Sequence, residues 1–315
     1  MKGLELSREY YNTYGKQMLE GSFKDYLPFI SVGLIGSGSE VLGFDDEVST
    51  DHDFEPGFCI FIPDEDRMDR KTAFQIERAY AKLPDEFMGY SRQKLSPVGG
   101  ARHGVIRLSD FLLEKLGDRE GNLNMFQWLK IPTQYLCEVT KGEIFHDGDG
   151  KITKIRENLS LMPKDIRLKR LAGHLLLMSQ SGQYNYLRMI KHNEEAAAAL
   201  CIHEYVKNAI AAIYFLNNEY MPYYKWQFRG LKELDILSEL ALPLEYLVVT
   251  ANDKNYVNDK IERIELIAGA VIDELISQGI TSAICGDLEK HAYSVNDYVN
   301  NGELRNMNIL SGVGE

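Results

Sequence analysis

A chain of 315 residues is long enough to form two domains, each with a buried core. Its composition is that of a globular protein. The formal net charge of −12 argues against general binding to DNA or RNA, because phosphate contacts need a basic face. We therefore expect no nucleic-acid partner.

No apolar segment approaches the length of about 20 residues that a transmembrane helix requires. Residues 1–15 also lack the apolar core of a secretory signal. Cys59, Cys137, Cys201 and Cys285 form no C-x-x-C pair, which argues against a zinc or redox motif. These features favour a cytoplasmic protein without a membrane partner, and they predict that all four cysteines are buried, reduced thiols.

Helices and strands alternate irregularly in the first part of the chain. Leu4–Leu19 has helical apolar spacing, whereas Phe29–Leu34 and Phe58–Ile62 are short apolar runs of the kind found in buried strands. Asp66–Leu83 predicts another helix, and His103–Leu108 predicts a third strand.

Two further elements are predicted before residue 160. Asp110–Leu116 indicates a short helix that ends at Gly117. Ile144–Ile155 predicts a β-hairpin, because Asp147–Gly150 has the composition of a tight turn. The same four residues resemble part of a calcium loop, but the glutamate and the helix pair of an EF-hand are missing.

Helices replace strands after Pro163. They are predicted at Lys164–Met178, Gly182–His192, Ala196–Leu216 and Tyr256–Ser277. In the first of these, we expect basic residues on one side and apolar residues on the other. The whole pattern predicts an α+β protein with two domains, a mixed sheet with helices at 1–160 and an all-α helical bundle at 161–315.

Residues 35–55 concentrate the chemistry of the chain. A small-residue turn, Gly38-Ser39-x-x-x-Gly43, follows the first strand, and Asp51 and Asp53 precede the second. Residues i and i+2 of a strand share a face, and two adjacent carboxylates repel each other unless a cation lies between them. The spacing therefore predicts a cation site at Asp51 and Asp53.

Other acids in this stretch have simpler interpretations. Asp45, with Asp46 and Glu47, is expected in an exposed loop. Glu55 shares the face of the two aspartates and could be an outer metal ligand, but an exposed acid is the favoured interpretation.

The pattern of the Gly-Ser turn followed by Asp51-His52-Asp53 resembles the signature of the polymerase-β-like nucleotidyltransferase superfamily. The pattern also resembles small bacterial members of that superfamily, similar to kanamycin and streptomycin nucleotidyltransferases. Asn217–Trp226 resembles the helical half of a bacterial family within that group. The resemblance implies a nucleotidyltransferase-type sheet followed by a helical domain that selects the acceptor and closes on the nucleotide.

The resemblance also implies a reaction. Gly38, Ser39 and Gly43 would bind the phosphates of ATP or another nucleoside triphosphate, and Asp51 and Asp53 would hold one or two Mg²⁺ ions. A nucleoside monophosphate, AMP in the ATP case, would pass to a hydroxyl-bearing small molecule with release of pyrophosphate.

The third carboxylate of the superfamily has no counterpart in His103–Leu108, the strand expected to carry it. Asp110 is the nearest acid, and His103 is a possible base. Approach of Asp110, Glu143 or another acid to the two aspartates would favour an enzyme. If no acid approaches them, the alternative function is favoured. That alternative is a catalytically weak or inactive nucleotide-binding module of the same fold, similar to an antitoxin.

Tyr224 and Lys225 allow two interpretations of equal weight. They belong to an aromatic cluster at the end of a helical bundle, or they form a wall of a cleft in which Tyr224 stacks on a base and Lys225 contacts a phosphate. The sequence leaves the acceptor, the base and the oligomeric state open.

Overall fold

The computed structural model describes residues 1–48, 54–92 and 103–313. The chain divides into two compact units. The first contains Met1–Leu123 and Gln134–Ser160, and the second contains Asn124–Thr133 and Leu161–Glu315. The protein therefore combines helices with a small mixed sheet, and its C-terminal region is helical.

The sheet of the first unit has four strands, which are β1 (Ser31–Leu34), β2 (Cys59–Ile62), β5 (Gly104–Arg107) and β6 (Glu143–Asp147). Their spatial order is β5-β2-β1-β6. β1 is antiparallel to both β2 and β6, whereas β2 and β5 are parallel. The end of β1 and the beginnings of the other three strands therefore lie along one edge of the sheet. A separate hairpin is formed by β3 (Glu86–Phe87) and β4 (Tyr90–Ser91).

The predicted strands at 29–34, 58–62 and 103–108 are thus confirmed, each slightly shortened. β1 and β2 are buried along their full length, which explains their uninterrupted apolar character. Helical segments accompany this sheet in the first unit. Their bounds are Gly3–Tyr10, a π-helical turn at Tyr11–Gly15, Lys16–Ser22, a 3₁₀ segment at Lys24–Phe29, Ser39–Leu42, Arg70–Tyr80, Leu108–Leu116, Thr133–Thr140 and Lys151–Leu159.

Aromatic rings form much of the core of the first unit. Phe58 is fully buried, and its ring centroid lies 5.9 Å from that of Tyr10 and 5.1 Å from that of Tyr80. The backbone N–H of Phe58 donates to the Tyr80 hydroxyl oxygen at 3.1 Å. A Cβ on Gly15 would overlap the Phe58 ring, so this glycine lets the N-terminal helix approach the core closely. These contacts fix the chain just before β2.

The predicted hairpin at Ile144–Ile155 is wrong. Its first half is β6, but its second half belongs to the helix Lys151–Leu159, which begins after Gly150 at a φ of 70°. Ile152, Ile155 and Leu159 recur at helical spacing and are all buried there. The Asp147 carboxylate accepts a hydrogen bond from the Thr153 N–H at 2.9 Å. The Asp-Gly run thus joins a strand to a helix.

Among its described residues, the second unit contains helices and connecting segments but no strand. The helix predicted at Lys164–Met178 has those bounds, and the one predicted at Ala196–Leu216 begins at Glu195. The other helical segments are Met125–Lys130, a π-helix at Ser179–Tyr186, Leu187–Lys191, Tyr224–Trp226, Gln227–Leu231, Ser238–Leu240, Ala241–Val249, Val257–Ser277, Leu288–Asp297, Gly302–Asn306 and Ile309–Gly312.

Two of the basic residues that were predicted on one side of the helix Lys164–Met178 are enclosed in the structure. Lys169 and Arg170 are buried, as are the apolar residues of the helix. The Lys169 ammonium donates to the Asn296 side-chain oxygen and to the Met307 carbonyl, each at 2.8 Å. Arg170 donates to the Ile131 carbonyl at 2.8 Å. Hydrogen bonds to oxygen acceptors therefore permit these cations to be enclosed.

The expectation of four buried thiols holds only in part. All four cysteines are free, and Cys59 and Cys137 are buried, but Cys201 is half-buried and Cys285 is exposed. Among the described residues, no helix is both long enough and apolar enough to cross a membrane.

Candidate functional site

A glycine turn links β1 to a short helix. Gly36 and Gly38 have φ values of 108° and 148°, the helix Ser39–Leu42 begins directly afterwards, and Gly43 ends it with a φ of 73°. Residues with a Cβ rarely adopt such positive φ angles, which explains the three glycines. The Gly36 N–H donates to the Glu138 carbonyl at 2.9 Å and so fixes the turn. Gly38, rather than Gly36, immediately precedes the helix.

Glu40 places a carboxylate directly over this turn. Its side chain is buried, and Oε2 lies 3.5 Å from the Ser39 hydroxyl. A Cβ on Gly38 would overlap the Glu40 carboxylate. An anion at Gly38 and Ser39 would therefore require Glu40 to move, or a cation to lie between the two negative charges.

Lys115 supplies a positive charge beside the same turn. Its ammonium lies 2.8 Å from Glu138 Oε2 and 3.0 Å from Glu114 Oε1, and it is 3.5 Å from the Ser37 hydroxyl. Burial acts to lower the pKa of Lys115, but the hydrogen bonds to Glu138 and Glu114 outweigh it and leave the pKa raised. Lys115 is thus held protonated beside Ser37.

Glu55 and His103 form a pair at the same sheet edge. Glu55 precedes β2 and His103 precedes β5, and because these strands are parallel their beginnings are adjacent. His103 Nδ1 lies 3.0 Å from Glu55 Oε1, and the side chains are only 6% and 19% exposed. The interpretation of Glu55 as an exposed acid is therefore wrong. A Cβ on Gly57 would lie 2.7 Å from the His103 ring, so this glycine makes room for the imidazole.

Asp45 is also not the exposed loop residue that was expected. It is 3% exposed, and its carboxylate accepts a hydrogen bond from the Gly3 N–H at 2.8 Å. The Lys2 ammonium lies 3.6 Å from its other carboxylate oxygen. Asp45 therefore fixes the chain after Gly43 to the start of the N-terminal helix.

The two acids considered as third carboxylates each form an ion pair with an arginine. Asp110 accepts a hydrogen bond from Arg119 Nη1 at 2.8 Å on the surface. Glu143, at the start of β6, accepts one from Arg8 Nε at 2.8 Å. The Glu143 pair raises the pKa of Arg8, chiefly through this hydrogen bond. In the structure, each of the two carboxylates is therefore already neutralised by an arginine.

Asp51, Asp53 and the intervening His52 lie outside the described residues. The described residues on either side of them are Val48 and Phe54, and Phe54 directly precedes Glu55. Within residues 1–48, 54–92 and 103–313, no group of three or more His, Cys, Asp and Glu side chains could hold a metal ion.

Tyr224 and Lys225 lie in the second unit, in the 3₁₀ segment Tyr224–Trp226. Tyr224 is 69% exposed, and its ring centroid is 4.5 Å from that of Tyr223. The Lys225 ammonium lies 5.1 Å from the centroid of the Trp226 ring. These contacts describe an exposed aromatic cluster within that unit.

Arg8, Lys115 and Glu138 contribute to the site but were not anticipated from the sequence. The partners of Arg8 and Lys115 are 135 and 23 residues away along the chain, at Glu143 and Glu138. Only the packing of helices against the sheet brings them together. No local spacing in the sequence signals these pairs.

A family model described as a domain of unknown function, DUF4037, matches residues 128–227. This range covers about a third of the chain and includes Asn217–Trp226, but the glycine turn at Gly38 and the pair of aspartates lie before it. No curated protein matches the chain, and no solved structure matches it.

Proposed function

We propose that this protein is a Mg²⁺-dependent nucleotidyltransferase with a polymerase-β-like catalytic unit. The observation that carries the proposal is the shared sheet edge. There the glycine turn at Gly38-Ser39 follows β1, and the Glu55–His103 pair precedes β2 and β5. In the sequence, Asp51 and Asp53 come immediately before the segment that carries Glu55.

The glycine turn is the proposed contact for the triphosphate. Gly38 has no side chain, so a phosphate oxygen could approach the backbone once the Glu40 carboxylate moves aside. The Ser39 hydroxyl, which lies 3.5 Å from Glu40 Oε2, could then donate to that phosphate. Lys115 lies beside Ser37 but is paired with Glu138 and Glu114, so its ammonium would have to turn from one of them to offset part of the phosphate charge. Glu40 opposes binding of a bare anion, which favours a nucleotide that arrives with a cation.

Asp51 and Asp53 are the proposed Mg²⁺ ligands, because paired carboxylates are ligands that suit this ion. When bound, Mg²⁺ would supply charge stabilisation for the phosphates and for the leaving pyrophosphate. In the proposed transfer, the acceptor oxygen bonds to the α-phosphorus. The bond from that phosphorus to the oxygen bridging the β-phosphate breaks, and pyrophosphate leaves.

His103 is the proposed base. With Nδ1 protonated and held by Glu55, Nε2 would accept the proton of the acceptor hydroxyl. This arrangement gives the chain a base without a third carboxylate from β5. The acceptor is proposed to be a small hydroxyl-bearing molecule.

A specific observation favours the second candidate function, a nucleotide-binding module without catalysis. Asp110 and Glu143 are both engaged by arginines, so the usual third acid would have to be released before it could act. This module would bind Mg²⁺ and nucleotide at the same residues but would release no pyrophosphate.

Two measurements separate these functions. Calorimetry with ATP, with and without Mg²⁺, should show Mg²⁺-dependent binding that is lost in the Asp51→Asn/Asp53→Asn variant and kept in Asp25→Asn, a change at an exposed acid. Mg²⁺-dependent ATP binding by the double variant that equals that of the wild type would contradict the assignment of Asp51 and Asp53 as Mg²⁺ ligands. Pyrophosphate release with pooled small-molecule acceptors, abolished in His103→Gln while ATP binding persists, would establish transfer. Binding without release across the acceptors would favour the module.

A further inference from the structure

A solvent-open cavity of about 640 Å³ is lined by residues of the second unit. Its volume falls in the range of cavities that take small ligands. One wall is the π-helix Ser179–Tyr186, and the other is the segment that begins the helix Leu288–Asp297. The lining residues are Ser179, Gln180, Gln183, Tyr184, Asn185, Gly286, Asp287 and Glu289.

Hydrogen bonds between the two walls fix the shape of this cavity. The Gln183 amide donates to the Gly286 carbonyl at 2.9 Å and accepts from the Leu288 N–H at 3.0 Å. The Ser179 hydroxyl donates to Asp287 Oδ1 at 3.3 Å. A site whose walls are already joined loses little conformational freedom on binding.

Other polar groups of the lining remain available. Within the described part of the chain, the side chains of Gln180, Asn185 and Glu289 form no hydrogen bond or ion pair. Asp287 uses Oδ1 for the Glu289 N–H at 2.9 Å and for Ser179, which leaves Oδ2 open. The cavity therefore presents two amides and two carboxylates.

The charge of the lining is negative. Asp287 and Glu289 are acidic, and the described lining residues include no lysine or arginine. Arg188 is not a lining residue, but its Nη1 donates to the hydroxyl of the lining residue Tyr184 at 2.6 Å. The Arg188 guanidinium carbon lies 5.6 Å from the centroid of the Tyr184 ring, so the ring contributes apolar surface for methylene groups rather than a separate cation contact.

We propose that this cavity is a binding site for a small organic cation with at least one ammonium group. The ammonium groups would lie on Asp287 and Glu289, the amides of Gln180 and Asn185 would bind further polar atoms, and the carbon skeleton would pack on Tyr184. A linear polyamine and an amino sugar share this chemistry. The site is independent of the proposed nucleotidyl transfer.

Saturation-transfer NMR and calorimetry on the full chain, without nucleotide, test the site with four probes: spermidine, glucosamine, neutral glucose and anionic gluconate. We expect at least one of the two amines to bind, and to bind at least about tenfold more tightly than glucose, whereas gluconate should not bind. Whichever of spermidine and glucosamine binds more tightly identifies whether the cavity prefers a polyamine or an amino sugar.

Asp287→Asn and Glu289→Gln are each expected to weaken amine binding about three- to tenfold, as loss of a partly exposed charge contact predicts. Asparagine at 287 keeps the helix cap, so the fold should persist. Asp273→Asn, at an exposed acid outside the cavity, should leave affinity unchanged. Failure of both amines to bind, binding no tighter than that of glucose, or equal affinity in the Asp287→Asn/Glu289→Gln double variant would overturn the proposal.

Discussion

His174 Nδ1 donates a hydrogen bond to the side-chain oxygen of Asn208 across 2.8 Å in the interior of the second unit. The direction follows from Asn208, whose amide nitrogen already donates to the carbonyl of Glu204 at 2.7 Å and to its carboxylate at 2.8 Å. The oxygen of Asn208 is therefore the atom left to accept, and His174 carries its proton on Nδ1. The imidazole is buried in its neutral form.

The neutral state of His174 predicts a loss of stability in acid. Burial lowers its pKa to about 3, against the opposing hydrogen bond of Asn208. A folded-state pKa below the unfolded value of about 6.5 means that the unfolded chain binds the extra proton first. The stability that depends on neutral His174 is present above pH 6.5 and is lost as the pH falls towards 3. Between pH 7 and 5 we expect a loss of about 2 kcal/mol from this residue.

Denaturant unfolding at pH 7 and 5 measures this effect. His174→Gln should be less stable than the wild type at pH 7 but should lose less stability on going to pH 5. His203→Gln is the matched control, because His203 is an exposed histidine on the helix Glu195–Leu216. The same pH dependence in wild type and His174→Gln would contradict the assignment of a buried neutral imidazole.

Thiol labelling should separate the cysteines by their exposure. Cys285 is exposed and should react with a thiol reagent at once in the native protein, and Cys201, which is half-buried, more slowly. Burial raises the pKa of the Cys59 thiol to about 12, and its side chain is enclosed, so Cys59 should react only on unfolding. Mass spectrometry of wild type and Cys285→Ser after brief labelling checks this order. Rapid modification of Cys59 in the folded protein would contradict it.

Periodicity predicted most of the elements because local apolar spacing decides which face of a segment is buried. It succeeded for Lys164–Met178 and for the buried strands β1 and β2. It failed after Asp147, where the Asp-Gly run suggested a hairpin although the next residues repeat at helical spacing. Sequence patterns predict secondary structure least well where turn composition and apolar periodicity indicate different elements.

Contacts of the candidate site were harder to predict because they are distant in sequence. Glu55 and His103 are 48 residues apart and meet only because β2 and β5 are parallel neighbours. The burial of Asp45 likewise depends on Gly3, 42 residues earlier. The glycine turn itself was foreseen, because Gly38 and Gly43 are local requirements of the backbone.

Alanine substitutions at two glycines, Gly38 in the turn and Gly21 in a helix, are expected to have opposite effects on stability. Gly38→Ala should lower the free energy of unfolding by about 1–3 kcal/mol, because φ is 148° and the new Cβ would overlap the Glu40 carboxylate. Gly21→Ala lies in the helix Lys16–Ser22 with open space around it, and it should stabilise by about 0.5–1 kcal/mol. Denaturant unfolding compares both with the wild type. An equal response at the two positions would show that the Gly38 conformation is not required.

The Lys115–Glu138 pair predicts strong coupling between two side chains beside that turn. They are only 12% and 15% exposed, so removal of one leaves the other charged and poorly solvated. Lys115→Met should therefore cost about 1–3 kcal/mol of stability, and adding Glu138→Gln should restore part of the loss. Lys16 and Glu20 give the exposed control, because their side chains are 56% and 54% accessible and 4.0 Å apart. A double-mutant cycle should find coupling close to zero there. Additive effects at Lys115 and Glu138 would mean that the pair does not hold the lysine beside Ser37. Lys115 would then give no support to the proposed phosphate contact.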